Sequence, residues 1–177
     1  MFPMLRQILR TSIVSEPSPP ADDALRAVRQ RLSETMLRQL GRALVIRHVD
    51  AGSCNACELE IHALGNPYYN LEALGIKFAA SPRHADMLLV TGPVARNMEV
   101  ALKRAYDATP EPKLVVAVGD CGCTGGIFGE GYASCGRVSN VIPVDVSIPG
   151  CPPTPLQLME GILAALVMEG TAGASPA

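Results

Sequence analysis

Three observations in the sequence predict an α/β fold built on a parallel sheet. Short apolar runs (Leu44-Val45-Ile46, Met87-Leu88-Leu89-Val90, Leu114-Val115-Val116-Ala117-Val118 and Val144-Asp145-Val146-Ser147-Ile148) alternate with stretches of helical spacing. The run 114–118 is apolar at every position, as in a parallel strand covered on both faces. The turns between strands and helices are short, which is what a doubly wound sheet needs.

Taken in order, residues 1–14 are either an amphipathic helix, with Phe2, Leu5, Ile8, Leu9 and Ile13 on one side and Arg6 and Arg10 away from them, or a frayed terminus. Ser15-Glu16-Pro17-Ser18-Pro19-Pro20 excludes helix and makes a linker, so residues 1–20 form a leader. A helix is expected from Asp22 to about Gly41, because Leu25, Val28, Leu32, Met36 and Leu40 recur at helical spacing. Asp22 and Asp23 suit its positive end and Gly41 supplies a stop, so residues 21–43 are an N-terminal helix.

The strand from Leu44 continues through Arg47-His48-Val49-Asp50 toward the first cysteine loop. A helix follows Cys57 to Leu64, Gly65-Asn66-Pro67 ends it, and Leu71 to Gly75 adds a further turn. Ile76-Lys77-Phe78-Ala79 and Met87 to Val90 are strands, the second stopped by Thr91-Gly92-Pro93. The helix expected over 95–108 turns Met98, Leu102, Ala105 and Tyr106 inward, and residues 119–137 read as a long Gly-rich loop. After the strand at 144–148, a closing helix runs from Pro155 to about Glu169, leaving 170–177 as a flexible tail. The whole is a flavodoxin-like doubly wound parallel sheet with helices on both faces over 44–169.

Composition narrows the function. With 48% apolar and 18% charged residues, the chain reads as globular, and without Trp its core must be aliphatic. A net charge of −2 argues against nucleic acid as a partner. Residues 1–47 carry eight Arg against four acids, so a basic leader precedes an acidic body. That asymmetry suits contact with an acidic partner or a membrane surface, and equally an ordinary solvated helix. No run approaches the roughly 20 apolar residues of a membrane span. The opening Met1-Phe2-Pro3-Met4-Leu5-Arg6 lacks the apolar stretch of a secretion signal, so a chain that is not exported is expected. Six Cys are then expected to serve metal or redox chemistry rather than a disulfide framework.

Cys54 and Cys57 sit in Gly52-Ser53-Cys54-Asn55-Ala56-Cys57-Glu58, Cys121 in Gly119-Asp120-Cys121, and Cys151 in Pro149-Gly150-Cys151-Pro152-Pro153. Each loop follows an expected strand, and loops beyond the carboxyl ends of parallel strands open on one edge. Four thiols meeting there suit an iron–sulfur cluster; structural zinc more often takes two close pairs, and it stays open as an alternative. Gly52, Gly119 and Gly150 let backbone approach the centre and leave N–H groups to bond its sulfurs. Cys123 is an alternative ligand to Cys121, and Cys135 is expected to be a buried or free thiol. His62 is read as a surface or interface residue, and His48 and His84 carry no signal. Glu58 and Glu60 serve either proton movement, interface pairing or a solvated helix start.

These residues resemble a known family. The segments Gly52 to Glu60, Asn66-Pro67-Tyr68-Tyr69, Ala80 to Asp86, Val90-Thr91-Gly92-Pro93-Val94, Pro110-Glu111-Pro112-Lys113, Gly119-Asp120-Cys121 and Pro143 to Thr154 are similar, in order, to the small subunit of membrane-associated, energy-converting nickel–iron hydrogenases. The formate hydrogenlyase and CO-linked members are nearest in pattern. The same segments resemble the 20 kDa cluster-bearing subunit of respiratory NADH:quinone oxidoreductase. The likeness covers roughly residues 42–168. The respiratory subunit has adjacent cysteines at the first motif and typically Ser before the third, so C-x-x-C and Asp120 favour the hydrogenase side.

The resemblance implies one 4Fe–4S cluster held by Cys54, Cys57, Cys121 and Cys151, with Cys123 and Cys135 outside the ligand set. It implies an electron-transfer subunit working with a nickel–iron large subunit, a ferredoxin-like iron–sulfur subunit and membrane-arm subunits. The location it implies is cytoplasmic, attached peripherally to the membrane through the complex. The alternatives are the corresponding subunit of a quinone-reducing, NADH dehydrogenase-like complex and a zinc-stabilised interaction module. Gly-rich loop 125–136 and the Tyr68-Tyr69 pair are the expected large-subunit contacts.

Overall fold

The apolar runs become five strands: β1 (Leu44–Asp50), β2 (Ile76–Phe78), β3 (Met87–Thr91), β4 (Leu114–Val118) and β5 (Val146–Ile148). The computed structural model describes Arg10, residues 22–39 and residues 41–172. All pairings are parallel, in the order β2-β1-β3-β4-β5, the flavodoxin-like arrangement expected. Five α-helices accompany them among the described elements: α1 (Asp23–Gln39), α2 (Ala56–Ala63), α3 (Arg96–Ala108), α4 (Gly119–Thr124) and α5 (Pro155–Ala172).

Alternation along the strands divides the core in two. Leu44, Ile46, Met87, Leu89, Val116 and Ile148 face a layer made by α1, α2 and α5, through Leu25, Val28, Leu32, Met36, Ile61, Leu158 and Ile162. Leu88, Val90, Val115 and Ala117 face the opposite layer, where Leu102 of α3 packs with Val94 and Val138. Both central strands are therefore buried at every position, which the continuous apolar run 114–118 required. Among the described residues no aromatic side chain is fully buried in the core, which is aliphatic as composition demanded.

The edge opposite the carboxyl ends is fastened by two carboxylates. Asp86 accepts from the Val45 amide (3.0 Å) and from both Arg42 guanidinium nitrogens (2.7 and 3.0 Å). Asp145 accepts from the Val115 amide at 2.7 Å, while its own amide donates to Val115 O at 2.9 Å. The strand expected from Val144 accordingly begins at Val146, because Asp145 is used to pin β4.

Two expectations change at the helices. The loop expected over 119–137 starts as helix α4, because the chain turns directly from β4 with Gly119 at φ +79°. The closing helix runs to Ala172, past the expected Glu169; residues 173–177 of the expected tail lie outside the described residues, as does the leader 1–20 apart from Arg10. Leu40, at the end of the expected first helix, lies outside them too. Among the described residues no helix is long and apolar enough to cross a membrane.

Helix α5 lies close on β5 because Gly161 has no side chain: a Cβ there would run into Cδ1 and Cγ1 of Ile148. Gly161→Val is expected to cost about 2–3 kcal/mol by overpacking. In an Ile148→Ala background that penalty should fall below about 1 kcal/mol, a coupling readable from a urea-denaturation double-mutant cycle.

Candidate metal centre

The carboxyl ends of β1, β3, β4 and β5 are neighbours, so the loops that leave them stand side by side. A narrow cleft between them is lined by Ser53, Cys54, Cys57, Gly92, Cys121 and Cys151, with Asp120 and Gly150 at its wall. The four cysteines singled out from the sequence are thus brought to one cleft. Cys54 and Cys151 are exposed, and Cys57 and Cys121 are half-buried.

Each loop is held by a short-range device. Beyond β1, the Asp50 carboxylate accepts from the amides of Gly52 and Ser53, both at 2.8 Å, which folds the chain back before Cys54. Ser53 Oγ accepts from the Asn55 amide at 3.0 Å and donates to Glu58 Oε2 at 2.5 Å. Asn55 adopts a left-handed backbone (φ 73°), and α2 starts there with Cys57 in its first turn. Across the cleft, the Asp120 amide donates to Gly150 O and the Gly150 amide donates to Asp120 Oδ1, both at 2.8 Å. This two-point clamp fixes the loop of Cys121 against that of Cys151. The amides of Gly52 and Gly150 are therefore taken by carboxylates, and are not free to bond cluster sulfurs as expected from the sequence.

The cleft depends on missing side chains. A Cβ at Gly119 would lie 2.6 Å from Cys57 Sγ, and one at Gly126 would lie 2.8 Å from Cys121 Sγ. One at Gly92 would collide with the Ser53 backbone at 2.5 Å. Sequence reasoning found Gly52, Gly119 and Gly150 but missed Gly92 and Gly126. The signal for Gly92 was present in the Thr91-Gly92-Pro93 stop, at the one of the four cleft-forming strand ends that bears no cysteine.

The thiols share a low-polarity, mutually charged setting. Burial, then the neighbouring Glu58 and the Cys54, Cys121 and Cys151 sulfurs, push the Cys57 thiol up to about 12 in the metal-free chain. Cys121 is raised by burial and then by Cys151 and Cys54. Such thiols become thiolates when a cationic centre compensates their repulsion, so the all-sulfur set and its glycine walls fit a thiolate-held metal group. Among the described residues no group of three or more His, Cys, Asp or Glu side chains is drawn together closely enough to hold a metal ion.

The remaining cysteines point elsewhere. Cys123 packs among residues of the opposite layer, its thiol directed at Ala117 O (3.6 Å). Cys135 is buried and donates to Glu99 Oε2 at 3.4 Å. Glu58 is buried rather than solvated: Oε2 takes the Ser53 hydroxyl, while Oε1 has no hydrogen-bond partner and stands 3.6 Å from His48 Nε2. His48 Nε2 is also 3.0 Å from the buried Thr91 hydroxyl. Burial lowers the His48 pKa against the opposing pull of Glu58. So His48, which carried no signal in the sequence, backs the cysteine turn. Glu60 is half-buried on the same helix, while His62 is exposed, as expected.

Comparison with known proteins agrees with the geometry. The family model described as NADH ubiquinone oxidoreductase, 20 kDa subunit, matches residues 54–165. Formate hydrogenlyase subunit 7 of Escherichia coli is 44% identical over 76% of this chain and 53% of its own length, so the chain spans about half of that relative. The probable membrane-bound hydrogenase subunit mbhJ of Pyrococcus furiosus is 45% identical over 72% of this chain and 76% of its own length. A subunit of the NADH-quinone oxidoreductase of Desulfovibrio desulfuricans is 44% identical over 70% of this chain and 66% of its own length. A chain of the membrane-bound sulfane sulfur reductase, an archaeal respiratory membrane complex, superposes with a TM-score of 0.66 at 32% identity, over 81% of this chain and 78% of that one.

The thiolate is the reactive form of cysteine, which orders the thiols of the metal-free chain. A short iodoacetamide pulse at pH 8 is expected to label the exposed Cys54 and Cys151 first, with Cys57 slower by at least about tenfold. Because the Cys57 pKa is raised to about 12, its slow labelling should keep rising by about tenfold per pH unit between pH 8 and 10, where a thiol of ordinary pKa levels off, as mass mapping will show.

Proposed function

The chain belongs to the family of the 20 kDa subunit of NADH ubiquinone oxidoreductase, and on that premise we propose that it is the electron-transfer subunit of a multisubunit nickel–iron hydrogenase. Cys54, Cys57, Cys121 and Cys151 hold one 4Fe–4S cluster in this reading, next to the nickel–iron site of a separate large subunit. The observation that carries it is the convergence of these four loop thiols on one cleft at the carboxyl edge of the sheet. When bound, such a cluster supplies one-electron transfer at a potential set by burial and by the hydrogen bonds around it.

The chain's own residues prepare that site. Asp50 and the Ser53–Glu58 pair shape the C-x-x-C turn, and the Asp120–Gly150 clamp sets the distance to the other two thiols. Gly92, Gly119 and Gly126 keep the cleft open. The unit that does this is 44–169, with helix α1 (Asp23–Gln39) packed on its core.

Another chain completes the site. The exposure of Cys54 and Cys151 leaves the sulfur donors open to solvent. Beside them the loop past Gly126 exposes Ile127 (93%), Phe128 (59%) and Tyr132 (101%). Apolar side chains so exposed next to an open metal cleft mark a protein contact, here the nickel–iron large subunit. A ferredoxin-like iron–sulfur subunit and membrane-arm subunits make up the rest of the assembly, which attaches this chain peripherally to the cytoplasmic membrane. Nickel chemistry belongs to the large subunit, because the cleft's four thiols are committed to the cluster.

A second reading has its own support. The respiratory relative is as similar in identity as the formate hydrogenlyase one, so the chain also suits a quinone-reducing complex. The C-x-x-C spacing and Asp120, whose carboxylate forms the clamp, favour the hydrogenase. Nickel-binding C-x-x-C pairs in the neighbouring large subunit support the hydrogenase; their absence contradicts it.

Ligand assignment has a direct test. In anaerobically purified complex, Cys121→Ser is expected to lose the cluster's visible absorption and hydrogen turnover, while Cys123→Ser keeps both within about twofold of the wild type. The reverse pattern overturns the assignment.

A further inference from the structure

Charge is segregated on the folded chain. Beyond residue 47 the sequence has seven Lys and Arg against thirteen Asp and Glu, yet most of the seven stand on one side of the sheet. Arg96, Lys103 and Arg104 are exposed on α3, and Arg83 is exposed on the turn Pro82–His84, which packs against that helix. Arg47 pairs in register with Leu88, whose side chain belongs to the α3 layer, and Lys77 pairs with Val45. Alternate residues of a strand share a face, so Val45, Arg47 and Lys77 all belong to the α3 side. Arg47, Lys77, Arg83 and Arg104 make no salt bridge or side-chain hydrogen bond among the described residues. The acids of α3 are Glu99 and Asp107, and Glu99 is bound by Lys103 at 2.7 Å and Arg96 at 3.7 Å. Asp86 and Glu111, at the margin, are held by Arg42 and Lys113.

We propose that this basic α3 face lies against an anionic lipid surface. The inference rests on the reading that the assembly is attached to a membrane. Side-chain type selects lipid over protein. Protein contacts centre on aromatic or large aliphatic anchors in a dry core. The one large apolar side chain exposed on α3 is Val100, at 56%, whereas Ile127, Phe128 and Tyr132 stand together beside the cysteine cleft. A polar face of unpaired cations suits phosphate headgroups instead, and each Lys or Arg near the surface strengthens binding about fivefold. The acid-rich remainder of the body is repelled by the same headgroups, so the basic face fixes the orientation. It lies along the side of the sheet, so lipid there leaves the carboxyl edge free for the large subunit.

The test is cosedimentation of the full chain with lipid vesicles. Binding is expected to vesicles of phosphatidylcholine with phosphatidylglycerol, weak with phosphatidylcholine alone, and to fall steeply with added salt. The exposed pair Arg83→Gln with Arg104→Gln should lower vesicle affinity at least about tenfold. Arg26→Gln with Arg31→Gln, two exposed cations of α1 on the other layer, should leave it within about twofold. Equal losses from the two pairs, or no loss from the first, overturn the inference. So does a first pair that releases another subunit from the complex while vesicle binding is unchanged, since the face is then a protein contact. A wild-type complex that does not sediment with cell membranes counts instead against the attachment on which the inference rests, and the vesicle comparison still decides the role of the face.

Discussion

Everything at the cleft depends on parallel pairing. Because β1, β3, β4 and β5 run in the same direction and pair in that spatial order, the loops that follow them emerge side by side at one edge. Parallel pairing in turn requires helical cover on both faces, which is supplied by α1, α2 and α5 on one side and α3 on the other. Loosening either layer would disturb the sheet and with it the separation of the thiols. The core of this chain therefore also sets the spacing of the four thiols in the cleft.

Within that frame, carboxylates set the loops. Asp50 folds the first turn, Asp120 ties the loop after β4 to the loop after β5, and Glu58 holds the Ser53 hydroxyl from the buried side. Burial first, and then the acceptors and sulfurs gathered in the cleft, disfavour free thiolates and raise Cys57 and Cys121. A group bringing positive charge relieves this repulsion, so the loops are organised for an occupant rather than for the empty chain. The donor set is built from one chain, and Cys54 and Cys151 stand exposed at its mouth, where the proposed function seats a partner subunit.

Much of this was legible in the sequence because it rests on local pattern. Apolar runs gave β1, β3 and β4, helical spacing gave α1, α3 and α5, and the strand-end rule placed four cysteines at one edge. What escaped was non-local or conformational. The sequence Gly119-Asp120-Cys121-Gly122-Cys123-Thr124 has poor helix propensity, yet it forms α4 because the turn out of β4 and the Gly150 contact fix its start. The acceptor roles of Asp120 and Asp145 depend on loops about 30 residues apart in the chain meeting in space, which spacing does not encode. For Glu58 a solvated helix start stood beside proton movement and interface pairing; the helix that starts at the left-handed Asn55 buries it against His48, a contact spacing does not encode.

The most direct test of the account is metal and sulfide analysis of the anaerobically purified chain, joined to a paramagnetic resonance spectrum of the reduced state. The account requires about four irons and about four acid-labile sulfides per chain, with a low-temperature signal that appears on reduction. One zinc per chain, with no sulfide and no such signal, would contradict it.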